Sequence, residues 1–276
     1  MPSLYIVSTP IGNLEDITLR ALRILKEAHL IAAEDTRTTR KLLARYDIHT
    51  SLTSYHEHNK LQKIPAIIES LKEGDVALVS DAGTPGISDP GIELVQAAIS
   101  NGFTVSPIPG PSAVITALGV AGIPANNFLF LGFLPRSKGQ RHKILLPVSE
   151  LPYTLVLFEA PHRLQQTLAD LYDTLGDRTV VAVREATKIH EEIFRGTVSQ
   201  CQAHFNQPRG EFTLVIDTKL LPKKYSNLEA EDKLRSLVRD GASSREARNH
   251  VASETGLSRR HVYKIWLDIK NSPTDS

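Results

Sequence analysis

The chain has 276 residues, 41% of them hydrophobic and 23% charged, which excludes a disordered chain and predicts one or two domains with a sizeable core. A net charge of +1 excludes a strong overall field for nucleic acid or membrane, and a single cysteine excludes an intrachain disulfide framework. MPSLYIVSTP is no signal peptide, and the most apolar run, FLFLGFL, is too short to span a bilayer. We expect a cytoplasmic protein.

Short apolar runs along the chain predict eight β-strands. They lie at 4–8, 29–34, 76–80, 103–108, 128–133, 153–159, 179–185 and 212–217. Helical spacing of apolar residues separates most of them, for example over 61–71 before Gly74 and over 164–175 before Gly176. This alternation predicts an α/β fold with mainly parallel sheet, and a more mixed arrangement after residue 128. We predict two α/β lobes, at 1–122 and 123–218.

Three loops rich in glycine and proline follow predicted strands. They are TPIGN at 9–13, SDAGTPGISDPG at 80–91 and PIPGPSA at 107–113. In an α/β sheet the carboxyl ends of the strands form the usual ligand crevice. Asp89-Pro90-Gly91 fits the start of a helix, but Asp81 and the turn at 83–86 indicate a ligand loop. None of the loops has a dinucleotide fingerprint or a P-loop pattern.

The C-terminal segment is basic and helical. Residues 219–276 hold 12 Lys/Arg and 8 Asp/Glu, which leaves the rest of the chain mildly acidic. A linker is predicted at 219–227 and a trihelical unit of helix-turn-helix type at 228–271, with a capping box from Ser243 to Glu246. Its last helix presents Arg259, Arg260 and Lys264, a set suited to RNA phosphates. The alternative is a small bundle that packs on the body or on a partner subunit.

The loops and several further motifs resemble one family of enzymes. The motifs are VSTPIGNLEDITLRALRIL, AAEDTR, SDAGTPGISDPG, PIPGPSA, GFLPR, LVLFEAPHRL, VREATKIHEE and RGEFTLVI. They are similar to the tetrapyrrole-methylase-like class of S-adenosylmethionine-dependent methyltransferases, over about residues 1–218. The first loop lacks the glycine-rich pattern ending in Gly-Asp, and the second lacks Gly-Asp-Pro, which speaks against a tetrapyrrole substrate. Within the class, the resemblance is to members that methylate a cytidine ribose 2′-oxygen in small-subunit ribosomal RNA.

This resemblance implies two α/β lobes with S-adenosylmethionine in the cleft between them. Cofactor contacts would fall on three loops and on the end of one strand of the second lobe, at Pro10, Asp81, Ala82, Gly83, Thr84, Ser112, Ala113, Phe158 and Glu159. For Phe158 the alternative is strand-end packing, and for Glu159 it is a solvated carboxylate. The resemblance also implies a homodimer and, as partner, small-subunit ribosomal RNA or the assembled small subunit.

The catalytic groups are less well defined by the sequence. A ribose hydroxyl is a poor nucleophile, so a proton acceptor should assist methyl transfer. Polar clusters near strand ends offer Arg37, Glu185 and Lys188. Lys188 could be a base with a lowered pKa or a cation that holds a substrate phosphate, and ion-paired roles are the alternative for all three. No metal is expected, because no further ligand accompanies His56-Glu57-His58 at metal spacing.

Two other functions remain compatible with the sequence. One is a regulator in which the α/β body senses a metabolite and the helical unit binds DNA. The other is a methylase of a small molecule, which would not need the basic C-terminal segment.

Overall fold

The computed structural model describes residues 2–217, 227–255 and 257–271. The chain divides into two compact units, Met1–Thr218 and Lys219–Ser276. The predicted linker at 219–227 lies outside the described residues except for Asn227. None of the helices described combines the length and apolar character needed to cross a membrane.

The first unit begins with a five-stranded parallel sheet in the order β3-β2-β4-β1-β5. Its strands are β1 (Ser3–Val7), β2 (Leu30–Ala33), β3 (Leu52–Ser54), β4 (Val76–Val79) and β5 (Thr104–Ile108). Its helices are α1 (Leu19–Glu27), α2 (Thr36–Arg45), α3 (Lys60–Glu73) and α4 (Ile92–Ser100). Helices α1 and α2 pack on one face, and α3 and α4 on the other. All residues of β4 are buried, because helices cover both faces.

A second, mixed sheet follows, in the order β6-β7-β10-β8-β9. Its strands are β6 (Phe128–Phe133), β7 (Thr154–Glu159), β8 (Thr179–Arg184), β9 (Glu192–Thr197) and β10 (Phe212–Ile216). Its helices are α6 (Lys138–Val148), α7 (Pro161–Leu175) and α8 (Val198–His204), and α5 (Ala113–Ala121) lies between the two sheets in sequence. Only the β6–β7 pair is parallel, which confirms the predicted mixed character.

Helix α5 packs against the second sheet although it directly follows the first. Its buried residues Val114, Ala117 and Leu118 form one cluster with Val156 and with valines of β8 and β10. Helices α6, α7 and α8 cover the opposite face of the same sheet. By its packing, α5 belongs to the second lobe. The boundary between the lobes would then lie before α5, and not after it at residue 122 as predicted.

All eight predicted strands are present, but two strands were not predicted. β3 and β9 are both edge strands, and β9 has the sequence EIFRGT, in which polar residues interrupt the apolar pattern. An edge strand pairs on one side only and needs less apolar surface, so its sequence signal is weak. The helical spacing also predicted that Leu61 lies on the buried apolar face of α3, but its side chain is exposed.

The second unit contains α9 (Asn227–Arg239), α10 (Ser244–Thr255) and α11 (Arg259–Asn271). Its core contains Leu234, Val251 and Trp266. The Ser243–Glu246 capping box is present, with the Glu246 N–H donating to Ser243 Oγ at 3.3 Å and the Ser243 N–H donating to Glu246 Oε2 at 3.0 Å. The three predicted helices are therefore confirmed.

Candidate functional site

Three loops leave the carboxyl ends of three neighbouring strands, β4, β1 and β5. The first two are joined by paired backbone hydrogen bonds: the Thr9 N–H donates to the Gly83 carbonyl at 2.8 Å, and the Gly83 N–H donates back at 3.0 Å. The hydroxyls of Ser8 and Thr84 are also hydrogen-bonded, at 2.8 Å. The strand order therefore places the three predicted ligand loops side by side, and hydrogen bonds join the loops after β1 and β4.

Gly83 has a backbone conformation that disfavours other residues. Its φ is +79°, in the left-handed region, and the nearest atom to a Cβ built there would be Ile11 Cγ2 at 3.7 Å. A side chain would therefore have room at this position, and the left-handed backbone of the turn is the reason that glycine is favoured. The missing side chain also lets the backbone of this loop approach a ligand.

A cavity of about 500 Å³ lies between these loops and the second sheet, a size typical of small-molecule sites. Seven of the nine residues predicted to contact the cofactor line it: Ala82, Gly83, Thr84, Ser112, Ala113, Phe158 and Glu159. They come from two loops of the first sheet and from the end of β7. The tertiary structure thus assembles one site from segments far apart in sequence.

Ser112 occupies the N-cap position of α5 but makes no capping hydrogen bond through its side chain. Ser112 is also one of the residues that line the cavity. The serine therefore stands at the start of the helix without serving as its side-chain cap.

Glu159 is buried, with 1% of its surface exposed, so the alternative of a solvated carboxylate is wrong. Its Oε1 accepts a hydrogen bond from the Ala160 N–H at 2.9 Å and lies 3.5 Å from Arg163 Nε, and its Oε2 accepts from the Thr167 hydroxyl. A buried charge needs such partners. The carboxylate therefore contributes a fixed negative group to the cavity wall.

Two predicted cofactor residues, Pro10 and Asp81, do not line the cavity. Asp81 Oδ1 accepts a hydrogen bond from the Asp35 N–H at 3.0 Å, and the Asp81 N–H donates to Glu34 Oε2 at 3.1 Å. Asp81 thus fastens the second loop to the junction of β2 and α2. Pro10 is buried next to the Thr9 bridge. A direct contact of either residue with a cofactor stays a prediction.

Asp89 lines the cavity, although the sequence assigned it to helix capping. Helix α4 begins only at Ile92 with Gly91 as its N-cap, so the predicted capping role of Asp89 is wrong. Burial raises the pKa of the Asp89 carboxyl to about 6, and the charges of Glu34 and Asp81 add to this while a hydrogen bond with Ser80 opposes it. The sequence signal for a role of Asp89 in the cavity was that it is the second acid, after Asp81, in a predicted ligand loop. The Asp-Pro-Gly pattern also fits the start of a helix, and the sequence analysis followed that pattern.

Lys188 and Glu185, both proposed as catalytic groups, form an ion-paired cluster. Lys188 Nζ lies 2.9 Å from Glu185 Oε1 and 2.9 Å from Glu211 Oε2. Burial acts to lower the pKa of Lys188, but its hydrogen bonds with Glu211 and Glu185 outweigh this and raise it. Lys188 is therefore a cation, and the structure gives no support to a neutral lysine base. Glu211, which lines the cavity, was missed by the sequence analysis.

The Glu185 carboxylate is likewise held in its charged form. Burial acts to raise its pKa, but hydrogen bonds from the Glu211 N–H and from Lys188 lower it overall. Arg37, the third proposed group, pairs with Asp35 at 2.7 Å at the start of α2 and does not line the cavity. None of the three resembles a poised general base.

The sequence of this chain matches one family profile over residues 3–202, that of the tetrapyrrole (corrin/porphyrin) methylases. The chain belongs to the tetrapyrrole methylase family. A relative from Halalkalibacterium halodurans, named ribosomal RNA small subunit methyltransferase I, is 46% identical over 273 residues, which cover 96% of this chain and 94% of that protein. The family resemblance of the sequence motifs is thereby confirmed.

A second relative and one solved structure extend this comparison. A Thermotoga maritima protein with the same name is 49% identical over 222 residues, which cover 79% of this chain and 100% of that protein. A crystal structure of uroporphyrin-III C-methyl transferase from Thermus thermophilus complexed with S-adenyl homocysteine superposes with a TM-score of 0.57 at 21% identity, covering 78% of this chain and 97% of that one. The two-lobed α/β fold expected for a tetrapyrrole methylase is confirmed.

Side chains of metal-ligand type lie together at one place in the described part of this methylase. His142, Asp170 and Asp173 each offer an atom within 4.8 Å of the others. Arg141 and Lys138 also lie against these carboxylates, at 2.5 Å and 3.2 Å, so ion pairing accounts for the cluster. The expected absence of a metal stays a prediction.

In the C-terminal unit of the methylase, the three residues predicted to bind RNA are exposed on α11. Arg259 and Arg260 lie in its first turn and Lys264 one turn later, whereas Val262 and Trp266 are buried in the core of the unit. The cations are therefore accessible to a polyanion, and their role stays a prediction.

Proposed function

We propose that this chain is an S-adenosylmethionine-dependent methyltransferase that methylates the 2′-hydroxyl of a cytidine ribose in small-subunit ribosomal RNA. The observation that carries the proposal is that seven residues identified from sequence motifs line one cavity. The names of the 46%- and 49%-identical relatives support the choice of RNA as substrate.

The residues of the cavity fit S-adenosylmethionine. Ala82, Gly83 and Ala113 are small, so backbone groups of two loops reach the cavity surface. The rings of Phe133 and Phe158, with centroids 5.6 Å apart, offer an apolar wall for the adenine. The cofactor carries a sulfonium and an ammonium charge, which the carboxylates of the wall complement. The related T. thermophilus protein was solved with S-adenyl homocysteine.

When bound, the cofactor supplies an activated methyl group on a positively charged sulfur. The residues of the chain align the ribose hydroxyl with that group and keep water away from it, and such alignment alone lowers a barrier by several kcal/mol. The hydroxyl must also lose its proton. Asp89 is our proposed acceptor, because it lines the cavity and its pKa of about 6 leaves it ionised but still basic at neutral pH.

Asp89→Asn should lower the methyl-transfer rate by roughly 100-fold, the typical contribution of a general base. The wild-type rate should rise with pH through about 6, as the carboxyl ionises, and the variant should lose this rise. Single-turnover rates between pH 5 and pH 8 measure both effects. A loss confined to cofactor affinity, with an unchanged rate at saturation, would contradict the base role.

Asp89→Asn should also change the thermal stability of the protein in a direction that depends on pH. The pKa of Asp89 is raised from its ordinary value of 3.8 to about 6 in the folded protein, so ionisation of this carboxyl destabilises the fold increasingly between about pH 4 and pH 6 and by a constant amount above that range. Asp89→Asn should therefore raise the melting temperature at pH 8 and change it little at about pH 3, where the carboxyl is protonated in both the folded and the unfolded state. Asp16→Asn, at an exposed turn, serves as the control.

The proposed function is tested with methyl-labelled S-adenosylmethionine and small ribosomal subunits from cells that lack the gene. Label in a cytidine ribose, and loss of that ribose methylation from the deletion strain, are the expected results. Naked RNA and assembled subunits are compared in parallel. Cofactor binding without transfer to RNA would favour the ligand-sensing regulator, and transfer to a tetrapyrrole would favour a small-molecule methylase.

Arg259, Arg260 and Lys264 are proposed as RNA phosphate contacts, because all three are exposed on one helix. Reversing them to Glu should weaken RNA binding and reduce the slope of log K against log salt by about 0.7–0.9 per contact. A charge-matched control reverses Arg239, Arg245 and Lys270 on the same unit, all exposed. Equal affinities of the two triple variants would contradict a specific role for Arg259, Arg260 and Lys264.

A homodimer in the cytoplasm is the assembly we propose. Its support within the described residues is apolar exposure on two helices: Ile92, Ile99 and Ile115 are each more than half exposed. Light scattering of the purified protein measures the assembly, with Ile115→Glu expected to shift it toward the monomer. The limits 1–122, 123–218 and 228–271 remain our proposed division of the chain along the sequence, with α5 of the first segment packed on the second sheet.

A further inference from the structure

Helix α2 presents a row of positive charge to solvent. Its sequence TRTTRKLLAR contains four cations and no carboxylate. Arg37, Lys41 and Arg45 follow one another at four-residue spacing, so they form one row with a rise of roughly 6 Å between neighbours, and Arg40 lies beside it. All four are exposed, while Leu42 and Leu43 are buried against the sheet.

This row works against the stability of the helix. Like charges four residues apart destabilise a helix by roughly 0.2–0.5 kcal/mol per pair. Several cations on other helices have acidic partners, such as Glu27 for Arg23 on α1. On α2 only Arg37 has one, since the described part of the chain places no carboxylate within salt-bridge distance of Arg40, Lys41 or Arg45. An anionic ligand along the helix would relieve the repulsion.

The row leads into a second concave surface, which we name the Lys188 groove. It has a volume of about 580 Å³ and is lined by Arg45 and by residues 12–15 and 187–190, which include Lys188 and His190. The Tyr46 hydroxyl donates to the Leu14 carbonyl at 2.6 Å, which fastens the end of α2 to the groove wall. The groove lining therefore includes two cations, Arg45 and Lys188, and one carboxylate, Glu15.

The Lys188 groove and the cofactor cavity share a wall. Ile11 lines the cavity and Gly12 lines the groove. Lys188 belongs to the groove and its partner Glu211 to the cavity, with 2.9 Å between Nζ and Oε2. A Cβ on Gly12 would collide with Lys188 Cγ, so the first loop and the segment 187–190 are in close contact along the groove. A strand held in the groove would lie next to the methyl-transfer site.

We propose that the α2 row and the Lys188 groove bind the phosphate backbone of the substrate RNA and present its ribose to the cofactor cavity. This inference rests on the proposed function and adds the place where RNA lies on the α/β unit. The row supplies phosphate contacts at helical spacing, and Lys188 acts as the cation nearest the reacting ribose. Arg37 and Lys188 are then RNA-positioning residues, and neither is a base.

The length of a relative supports an RNA surface on this unit. The T. maritima relative is matched over its whole length by 79% of this chain. The part of this chain that the match does not cover is about as long as the second unit, Lys219–Ser276. We infer that a protein of this length and name holds its substrate with its α/β unit.

The test neutralises the part of the row that has no acidic partner, in the variant Arg40→Gln/Lys41→Gln/Arg45→Gln. Glutamine keeps the helix propensity of arginine and lysine, so α2 should persist and like-charge repulsion should fall. The control Lys26→Gln/Lys72→Gln/Lys143→Gln removes the same charge from exposed positions outside the groove. Binding of small-subunit RNA, its salt dependence, cofactor affinity and melting temperature are measured for both.

We expect the α2 variant to bind RNA at least about tenfold more weakly at 0.15 M salt, with a salt slope reduced by about 2. Its cofactor affinity should match that of the wild type, its melting temperature should be equal or slightly higher, and the control should bind RNA nearly normally. Wild-type affinity and slope in the α2 variant, or an equal loss in the control, would overturn the proposal. If the wild-type protein transfers no methyl group to RNA, the proposed function itself fails, which is a separate result.

Discussion

Ala113→Trp should abolish S-adenosylmethionine binding while leaving the fold intact. Ala113 is the first residue of α5 and lines the cavity of about 500 Å³, so an indole there would occupy space that the cofactor needs. The position is partly exposed, and an added side chain can extend into the cavity without displacing the core. We expect a loss of at least about 100-fold in affinity, or about 2.7 kcal/mol.

The matched control is Val120→Trp, seven residues further along the same helix. Val120 is 37% exposed and does not line the cavity, so the same indole should leave cofactor affinity unchanged. Calorimetric titration measures the affinity, and a melting curve shows whether each variant is folded. Normal binding by a folded Ala113→Trp protein would remove the cavity as the cofactor site.

Asp170→Ala should destabilise the first unit by about 3–5 kcal/mol, the typical cost of leaving a buried charge without its partner. Asp170 and Arg141 are 2% and 1% exposed, and Arg141 Nε donates to Asp170 Oδ2 at 2.5 Å. Arg141 Nη1 also donates to the carbonyls of Pro135 at 3.2 Å and Arg136 at 2.6 Å. The pair therefore fixes the segment that follows β6.

Two further variants distinguish destabilisation by loss of the buried ion pair from destabilisation by loss of any charge. Asp173→Ala removes a carboxylate from the same helix that is 52% exposed, and it should cost no more than about 0.5 kcal/mol. The double variant Arg141→Met/Asp170→Leu leaves no unpaired charge and should recover much of the loss. Urea denaturation followed by circular dichroism measures all three. Equal destabilisation by Asp170→Ala and Asp173→Ala would show that burial of the pair is not the cause.

Local sequence by itself determined the helices of the C-terminal unit and the eight strands with continuous apolar runs. A capping box such as Ser243–Glu246 lies within one turn of chain, and a buried strand such as β4 is apolar at every position, so both signals are short-range. The rule that ligand loops follow parallel strands also predicted ligand loops at 80–91 and 107–113, and residues of both loops line the cavity.

The tertiary structure alone decided which side chains face the cavity and which ones neutralise each other. Asp81 and Asp89 belong to one loop and look alike in sequence, yet the first ties the loop to Asp35 and the second lines the cavity. Lys188 finds Glu211 more than twenty residues away, and Arg141 finds Asp170 on another helix. Burial, charge pairing and pKa depend on neighbours that are distant along the chain, so no local pattern contains them.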